Sequence, residues 1–594
     1  MFPSSGLSRR RVKSGVRRSL PLCKFYTVDE DKWANGASSG HCLLTKRCPL
    51  EEDGIVRNWT GWLLIFLCCG VGVGEAQEPA PIMVADGFRF LPEFERYRDN
   101  PAPLPDLPPE RNPYMAASPA AAMHSDSHAT QRTSWAGPTG TGARVRSASL
   151  GFFAGECATA NFDSQGRMFS VCMRFAQPEV LWFDPETLAV RARYGLAPRP
   201  TDSLLRIRKI IKNTSGGAYF YIDDQDRIVV ADSANVIHII RAVANPDRLV
   251  ADEQIQLGPS LATPISAVLP DWSGNIWFVT QDGVVGFVTP ERDLHLYRLA
   301  GEQIQNSFAT AADGVYVVSN RALYRFTADR HGVRLHWRET YPSGHAKAGQ
   351  IDDGSGTTPT LFGGRYVAIA DASTPRVQVR VYDRLAEDDR LVCALPVFLP
   401  GSSATENSLI AYGNSLIIDN NAGFDFFLKF TRGQTTGSGM ARIDVDAERR
   451  TCVTRWENDV YAPSVVPRLS TASGLIYVYG KKPGLNIDAY YLKAVDFRTG
   501  DLVFEILTGT GLRYDNNWAA LTIGPDGAAY VGVVNGIVRI ADDPSATVAT
   551  GPNRNPKRDW RDQRRDDRRV TRRAGRSAPA DAHRQTAATR RTDA

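Results

Sequence analysis

No apolar run in this 594-residue sequence is long enough to cross a bilayer. The longest, residues 59–74 (WTGWLLIFLCCGVGVG), falls short of the roughly 20 apolar residues that a spanning helix needs, and four of its positions are glycine. A multi-span membrane protein is thereby excluded. Histidine is scarce, 9 residues in all, and no two stand at zinc-ligand spacing with a partner, since His331 and His336 read as turn and strand positions of one hairpin. No Gly-x-Ser-x-Gly elbow occurs, and the glycine-rich stretch 352–358 (DDGSGTT) lacks a Gly-Lys-Ser/Thr ending and opens a strand. Serine hydrolase, zinc enzyme and phosphate-loop readings therefore find no support. Beyond residue 150 a sustained 3.6-residue period is also missing, which excludes a helical fold.

Charge is present in near balance, Lys+Arg 70 against Asp+Glu 65, but it is unevenly placed. Residues 1–53 and 553–594 are basic, and the body between them is mildly acidic. The body is accordingly not expected to bind nucleic acid. The Arg-rich tail, residues 542–594, reads as a solvated disordered extension, the alternative being contact with an anionic surface.

Residues 54–76 carry the marks of a secretory signal: Arg57, an apolar stretch over 62–69, and Gly74-Glu75-Ala76 before a cut at Gln77. The 53 polar residues upstream then constitute an extension that is not translated if the start lies near Val56. The competing reading is a signal anchor that keeps residues 59–74 in the membrane, the only membrane contact expected. Removal of residues 1–76 leaves Cys157, Cys172, Cys393 and Cys452, an even set suited to an oxidising compartment, secreted or periplasmic. Of the three pairings that four cysteines allow, spacing favours Cys157–Cys172 inside one hairpin and Cys393–Cys452 at matching outer positions of successive repeats. Buried free thiols are the alternative. Residues 77–145, rich in Pro, Ala, Ser and Gly, read as a flexible linker, because such text buries too little apolar surface to offset its ordering entropy.

From residue 146 to 541 one phrase recurs: a short apolar strand, a Gly/Asp turn, and a second apolar strand. It begins near Glu156, Gly217, Ile265, Asn306, Thr358, Asn407, Pro463 and Asn517. Spacings of roughly 40 to 60 residues leave room for four strands per unit. Eight such units predict an all-β fold, a β-propeller of eight four-stranded blades, with seven or nine blades as alternatives; radial repetition leaves only short, protected edges. Asp271-Trp272-Ser273-Gly274, Asp163-Ser164-Gln165-Gly166 and Pro525-Asp526-Gly527 supply the turns, with Asp bonding its own backbone and Gly in the left-handed position. The eighth unit is short, and residues 144–153 are predicted to supply its outer strand.

The stretch 491–504 (YLKAVDFRTGDLVF) resembles the blade phrase of the quinoprotein-like, PQQ-type propellers, with weaker copies at Ala441-Arg442-Ile443-Asp444 and Trp182-Phe183-Asp184. The Asp-Gly turns are similar also to those of sugar-lactonase and NHL propellers. The resemblance implies the fold over about 390 residues, and oxidoreductase or lactonase activity as candidate functions. No vicinal Cys-Cys pair lies within the repeats, so PQQ is not an expected cofactor.

Residues leading into first strands and leaving second strands should meet at one mouth of the ring. Among them Glu406, Asn407, Asp419, Asn420 and Asn517 form the candidate metal set, with calcium as the ion, since it takes six to eight oxygen ligands. The alternative is that these residues satisfy loop backbone groups. His345, on the long connection 341–357, is the candidate general base. Three function classes follow: a monomeric scaffold binding a small molecule or protein, a calcium-dependent hydrolase or lactonase-like enzyme, and a quinoprotein-like oxidoreductase.

Overall fold

The computed structural model describes residues 83–546 except 85–88, 92, 152–155, 175–176, 200–214, 348–349, 351–352, 425–432 and 535. The signal segment 54–76, the upstream extension and the tail beyond residue 546 lie outside the described residues.

The eight units fold as eight antiparallel sheets of successive strands, a β-propeller with blades at 161–195, 221–256, 265–298, 309–340, 360–396, 410–458, 468–510 and 522–541. Local chemistry sets the hairpins. In blade 1, Asp163 Oδ1 accepts the backbone N–H groups of Gln165 (3.0 Å) and Arg167 (2.8 Å), and Gly166 takes φ +75°. Asp271 does the same in blade 3 for Ser273 and Asn275, while its other oxygen accepts the indole N–H of Trp277 at 2.8 Å. Neighbouring blades stack face to face, so second strands are covered on both sides and read as unbroken apolar runs. Ile276–Thr280, Gly314–Val318 and Tyr366–Ala370 are buried at every position. Fourth strands lie at the rim, and Thr451–Asn458 is mostly wet.

The last blade is completed from far away in sequence. Arg144–Ser149 pairs with Gly536–Ala541, Val145 opposite Ile540, and the ring closes through the N-terminal side as the short eighth unit predicted. Blade 7 is thickened to six strands by Phe94–Arg96 on its outer edge and Arg132–Thr133 on its inner edge. Both predicted disulfides form. Cys157–Cys172 ties the approach of blade 1 to its second strand, and Cys393–Cys452 staples the outer strands of blades 5 and 6. Two disulfides fit an extracellular or periplasmic setting. Among the described residues no helix is long and apolar enough to cross a membrane.

One expectation needs correction. The flexible-linker reading of 77–145 fails for its central part, which runs inside the ring. Ala120–Met123, Ser125 and Ser127–Thr133 are buried. The segment visits the blades in order. The carbonyls of Ala120, Ala121, Ser127, His128, Thr130 and Gln131 accept the N–H groups of Phe162, Ile222, Thr310, Leu361, Ala411 and Leu469, in blades 1, 2, 4, 5, 6 and 7, at 2.7–3.0 Å. Blade 3 has Pro270 near the corresponding place, which offers no N–H, and there Asn112 Nδ2 donates to the Pro270 carbonyl instead (2.8 Å). Small side chains let this coil fit within the inner strands, and positive φ at Ser125, Ala129 and Gln131 bends it round the axis. The missing physical ingredient was therefore hydrogen bonding: inner-strand donors, rather than apolar area alone, hold the segment. We refer to residues 112–135 as the plug.

Candidate functional site

Two rims of the ring carry chemistry. At the rim where inner strands begin, side chains cross from blade to blade. Asn306 Nδ2 donates to the Ser355 carbonyl (2.8 Å), Ser408 Oγ accepts the Thr358 N–H (3.1 Å), and Asn407 Nδ2 donates to the Val465 carbonyl (2.9 Å). Ser464 Oγ bonds the Asn516 carbonyl, and Asn517 donates its backbone and side-chain N–H groups to Glu156 at 2.5 and 2.7 Å. The belt runs from blade 4 round to blade 1. Its bonds span the gaps between neighbouring blades, which apolar stacking alone leaves to be fixed in register.

Three carboxyls in this belt are held away from water, Asp419 and Asp515 buried and Glu156 half-buried. Burial pushes Glu156 up to about 8, against the opposing pull of its Asn517 bonds and of Arg199. It pushes Asp419 up to about 7, opposed by the 2.6 Å bond that Oδ2 accepts from Asn407. It pushes Asp515 up to about 6, opposed by Lys481 and Tyr490. In water-poor surroundings the charged form is the costly one, and neutral amide partners do little to support it.

The sequence-predicted metal set divides in two. Glu406, Asn407 and Asp419 lie together in blade 6: Asn407 bonds Asp419, the Glu406 N–H donates to Asn421 Oδ1 (3.1 Å), and the Glu406 carboxyl packs against Gly356. Asn420 braces its own loop, donating to the Ser402 and Ser438 carbonyls and accepting from Ala404 and Ala422. Asn517 is committed to Glu156. Asp232, Asn320 and Asp371 likewise bond within or beside their own turns. Among the described residues no three His, Cys, Asp or Glu side chains gather so as to hold a metal ion. Asn407 and Asn420 turn their amide nitrogens to Asp419 and to backbone carbonyls.

His345 is exposed on its loop and makes no side-chain hydrogen bond among the described residues. A better-oriented histidine is one that pattern reading missed. His238 Nε2 meets Asp232 Oδ2 at 2.9 Å and Nδ1 meets the Tyr194 hydroxyl at 3.0 Å, with Gln254 Nε2 donating to that hydroxyl. His238 is buried between blades 1 and 2 and lines neither of the two cavities described next.

Those cavities open at the opposite rim, beside the hairpin turns and the plug, and each holds about 270 Å³. The first is walled chiefly by the plug, with Met115, Ala116, Ser125 and Asp126. The second lies between the plug and the turns of blades 5 and 6, with His128, Phe362, Gly364, Arg384 and Gly413. Pro108, Pro109, Glu110 and Arg132 border both. These residues escaped the sequence reading because they sit in text taken for linker. A usable signal was there: the stretch 110–135 carries two histidines, His124 and His128, two arginines, Arg111 and Arg132, and a tryptophan, Trp135, side chains that a passive spacer has no need of.

No protein-family profile matches the chain. An uncharacterised protein of Archaeoglobus fulgidus is 30% identical over 307 residues, covering 46% of this chain and 59% of that protein, so the chain spans a little over half the length of this relative. Among solved structures the chain is similar to a streptogramin B lyase (TM-score 0.36, 11% identity, 68% of this chain and 98% of that one). It is similar also to the C-terminal WD40 domain of Sif2 (0.42, 8%, 67% and 99%) and to a 6-phosphogluconolactonase-like protein of Bacteroides uniformis (0.32, 11%, 56% and 92%).

Proposed function

We propose that this protein is an exported binding module whose ligand, a small molecule, sits in the paired cavities at the plug rim. The observation that supports the reading is the construction of those cavities. Their walls combine the plug with hairpin turns of a closed ring, a framework already held by hydrogen bonds before any ligand arrives. Pre-formed concave sites with an apolar lining and a few polar groups are where small ligands bind. Catalysis has weaker support, since His345 stands alone and the His238 pair is shut away from both cavities.

The test is ligand-observed NMR with a small-molecule library against the full chain, repeated with Ala117→Trp and Leu107→Trp. Both positions are exposed, so the fold should tolerate the change, and each indole should fill one cavity. Hits should vanish in one variant or the other while the melting temperature holds. A library without hits, or hits indifferent to both substitutions, would end this reading.

A further inference from the structure

Three arginines are buried among the described residues, and two of them hold hydrogen-bond partners, although Arg384 Nε is buried without one. Arg468 bonds Ser125 Oγ and the Met123 and Leu521 carbonyls; Arg384 bonds Asp313, the Tyr316 hydroxyl and the Gly364 carbonyl. Arg132 is different. It is 8% exposed, and among the described residues its guanidinium makes no hydrogen bond or ion pair; it lies over the face of Tyr412, 5.9 Å from the ring centroid, and in the field of Asp126 and Asp106. A guanidinium carries five N–H donors, and a buried cation ordinarily has a counter-charge. Here the residue borders both cavities.

The plug's carboxylate, Asp126, attracts Arg132 through space but gives its oxygens to other donors. Asp126 Oδ1 accepts the N–H groups of His128 and Thr130, and Oδ2 accepts the Thr130 hydroxyl at 2.5 Å. A second group points the same way. His128 lines the second cavity, is 8% exposed, stacks on Trp272, and has its Nε2 buried without a partner. Burial disfavours its charged form, so the ring stands neutral.

Charge separates the two cavities. The first sets Asp106, Glu110 and Asp126 against Arg111 and Arg132, a net negative lining. The second sets Arg132 and Arg384 against Glu110, with Asp313 shared between Arg384 and Arg325 and with Asp126 and Asp106 acting on Arg132 from the side of the first cavity. Leu107, Pro108 and Phe362 complete that wall with hydrocarbon.

We propose that the second cavity binds a small organic monocarboxylate, with Arg132 and His128 Nε2 receiving its two oxygens and Leu107 and Phe362 its apolar part. The inference rests on the binding-module reading and narrows its ligand class. A planar fork of donors matches a carboxylate in two directions at once, and the hydrocarbon wall matches the organic part of the ligand. Inorganic phosphate would leave the apolar wall unmatched.

Isothermal titration of the full chain with benzoate, benzamide and inorganic phosphate tests this. Benzoate should bind, with benzamide and phosphate weaker by about tenfold or more, the worth of a charge-assisted hydrogen bond. Arg132→Met should weaken benzoate by a similar factor, with Arg132→Lys intermediate. Glu110→Gln, at an exposed position outside the plug's hydrogen bonds, should tighten benzoate severalfold by removing a like charge, and it decides the matter should Arg132→Met fail to fold. Equal binding of benzamide, tighter binding of phosphate, or benzoate affinity unmoved by both Arg132→Met and Glu110→Gln would overturn the proposal. Benzamide binding that Leu107→Trp abolishes would refute the carboxylate while keeping the cavity as a site. Absence of binding by all three probes, together with a library without hits, would remove both.

Discussion

Asp419 offers a sharp test of the belt, because its proton should be legible in stability. The carboxyl is fully buried, accepts one bond from Asn407, and is pushed up by burial from the ordinary 3.8 to about 7. The unfolded chain releases this proton near pH 4, whereas the folded chain keeps it to about pH 7. Between those values the folded state binds more protons, so unfolding free energy falls as pH rises, and the loss levels off above about pH 7. A pKa gap of this size corresponds to on the order of 4 kcal/mol for the one group. Asp419→Asn keeps the shape and retains an oxygen for Asn407 while removing the titration. Denaturant melts from pH 4 to pH 8 should therefore show a slope in the wild type that the variant lacks by about 3–4 kcal/mol over the range. Lys493, which burial lowers to about 8, acts above this window and does not mask it. Parallel pH profiles of the two proteins would refute the reasoning, since they would mean that Asp419 is charged in the folded ring or hydrated through an opening.

Further expectations follow from other parts of the ring. Cys393→Ser with Cys452→Ser should cost about 2–4 kcal/mol by freeing a long loop, read as a lower melting temperature that reductant reproduces in the wild type. Arg468→Met should loosen the plug at the cost of about 3 kcal/mol for the groups left unpaired, with faster amide exchange over 120–133 and little change in fourth strands. Millimolar calcium should leave the melting temperature where it was, because binding to the native state alone would raise it; a rise abolished by Glu406→Ala plus Asp419→Ala would show that these residues do hold the ion.

Much of the architecture is legible in the chain because a blade is a local object. Asp163 with Gly166, and Asp271 with Gly274, announce their hairpins within four residues, and the apolar runs that follow announce burial on both faces. Even the distant closure is foreshadowed, since a short eighth unit and a spare strand near residue 144 need each other. The plug is illegible for the opposite reason. Its partners are backbone N–H groups on six different blades, and backbone donors leave no trace in residue pattern. Small-residue text reads the same whether it is solvated or encircled. The belt falls between these cases. Convergence of Asn407, Asp419 and Asn517 on one rim was readable from the repeat phase, but whether an amide there meets an ion or the next blade depends on the gap between sheets, which sequence does not encode.

The coil within the ring also orders events during assembly. Residues 112–135 emerge before any blade, yet the donors that hold them are spread through the following 350 residues or so, and the strand that seals the circle, Arg144–Ser149, waits for Gly536–Ala541. Contacts so remote in the chain are slow to form and leave unpaired edges meanwhile. An early blade must therefore stand open beside a segment it has not yet surrounded. Completion is a single late act, in which the youngest strand shuts a cage upon the oldest part of the fold.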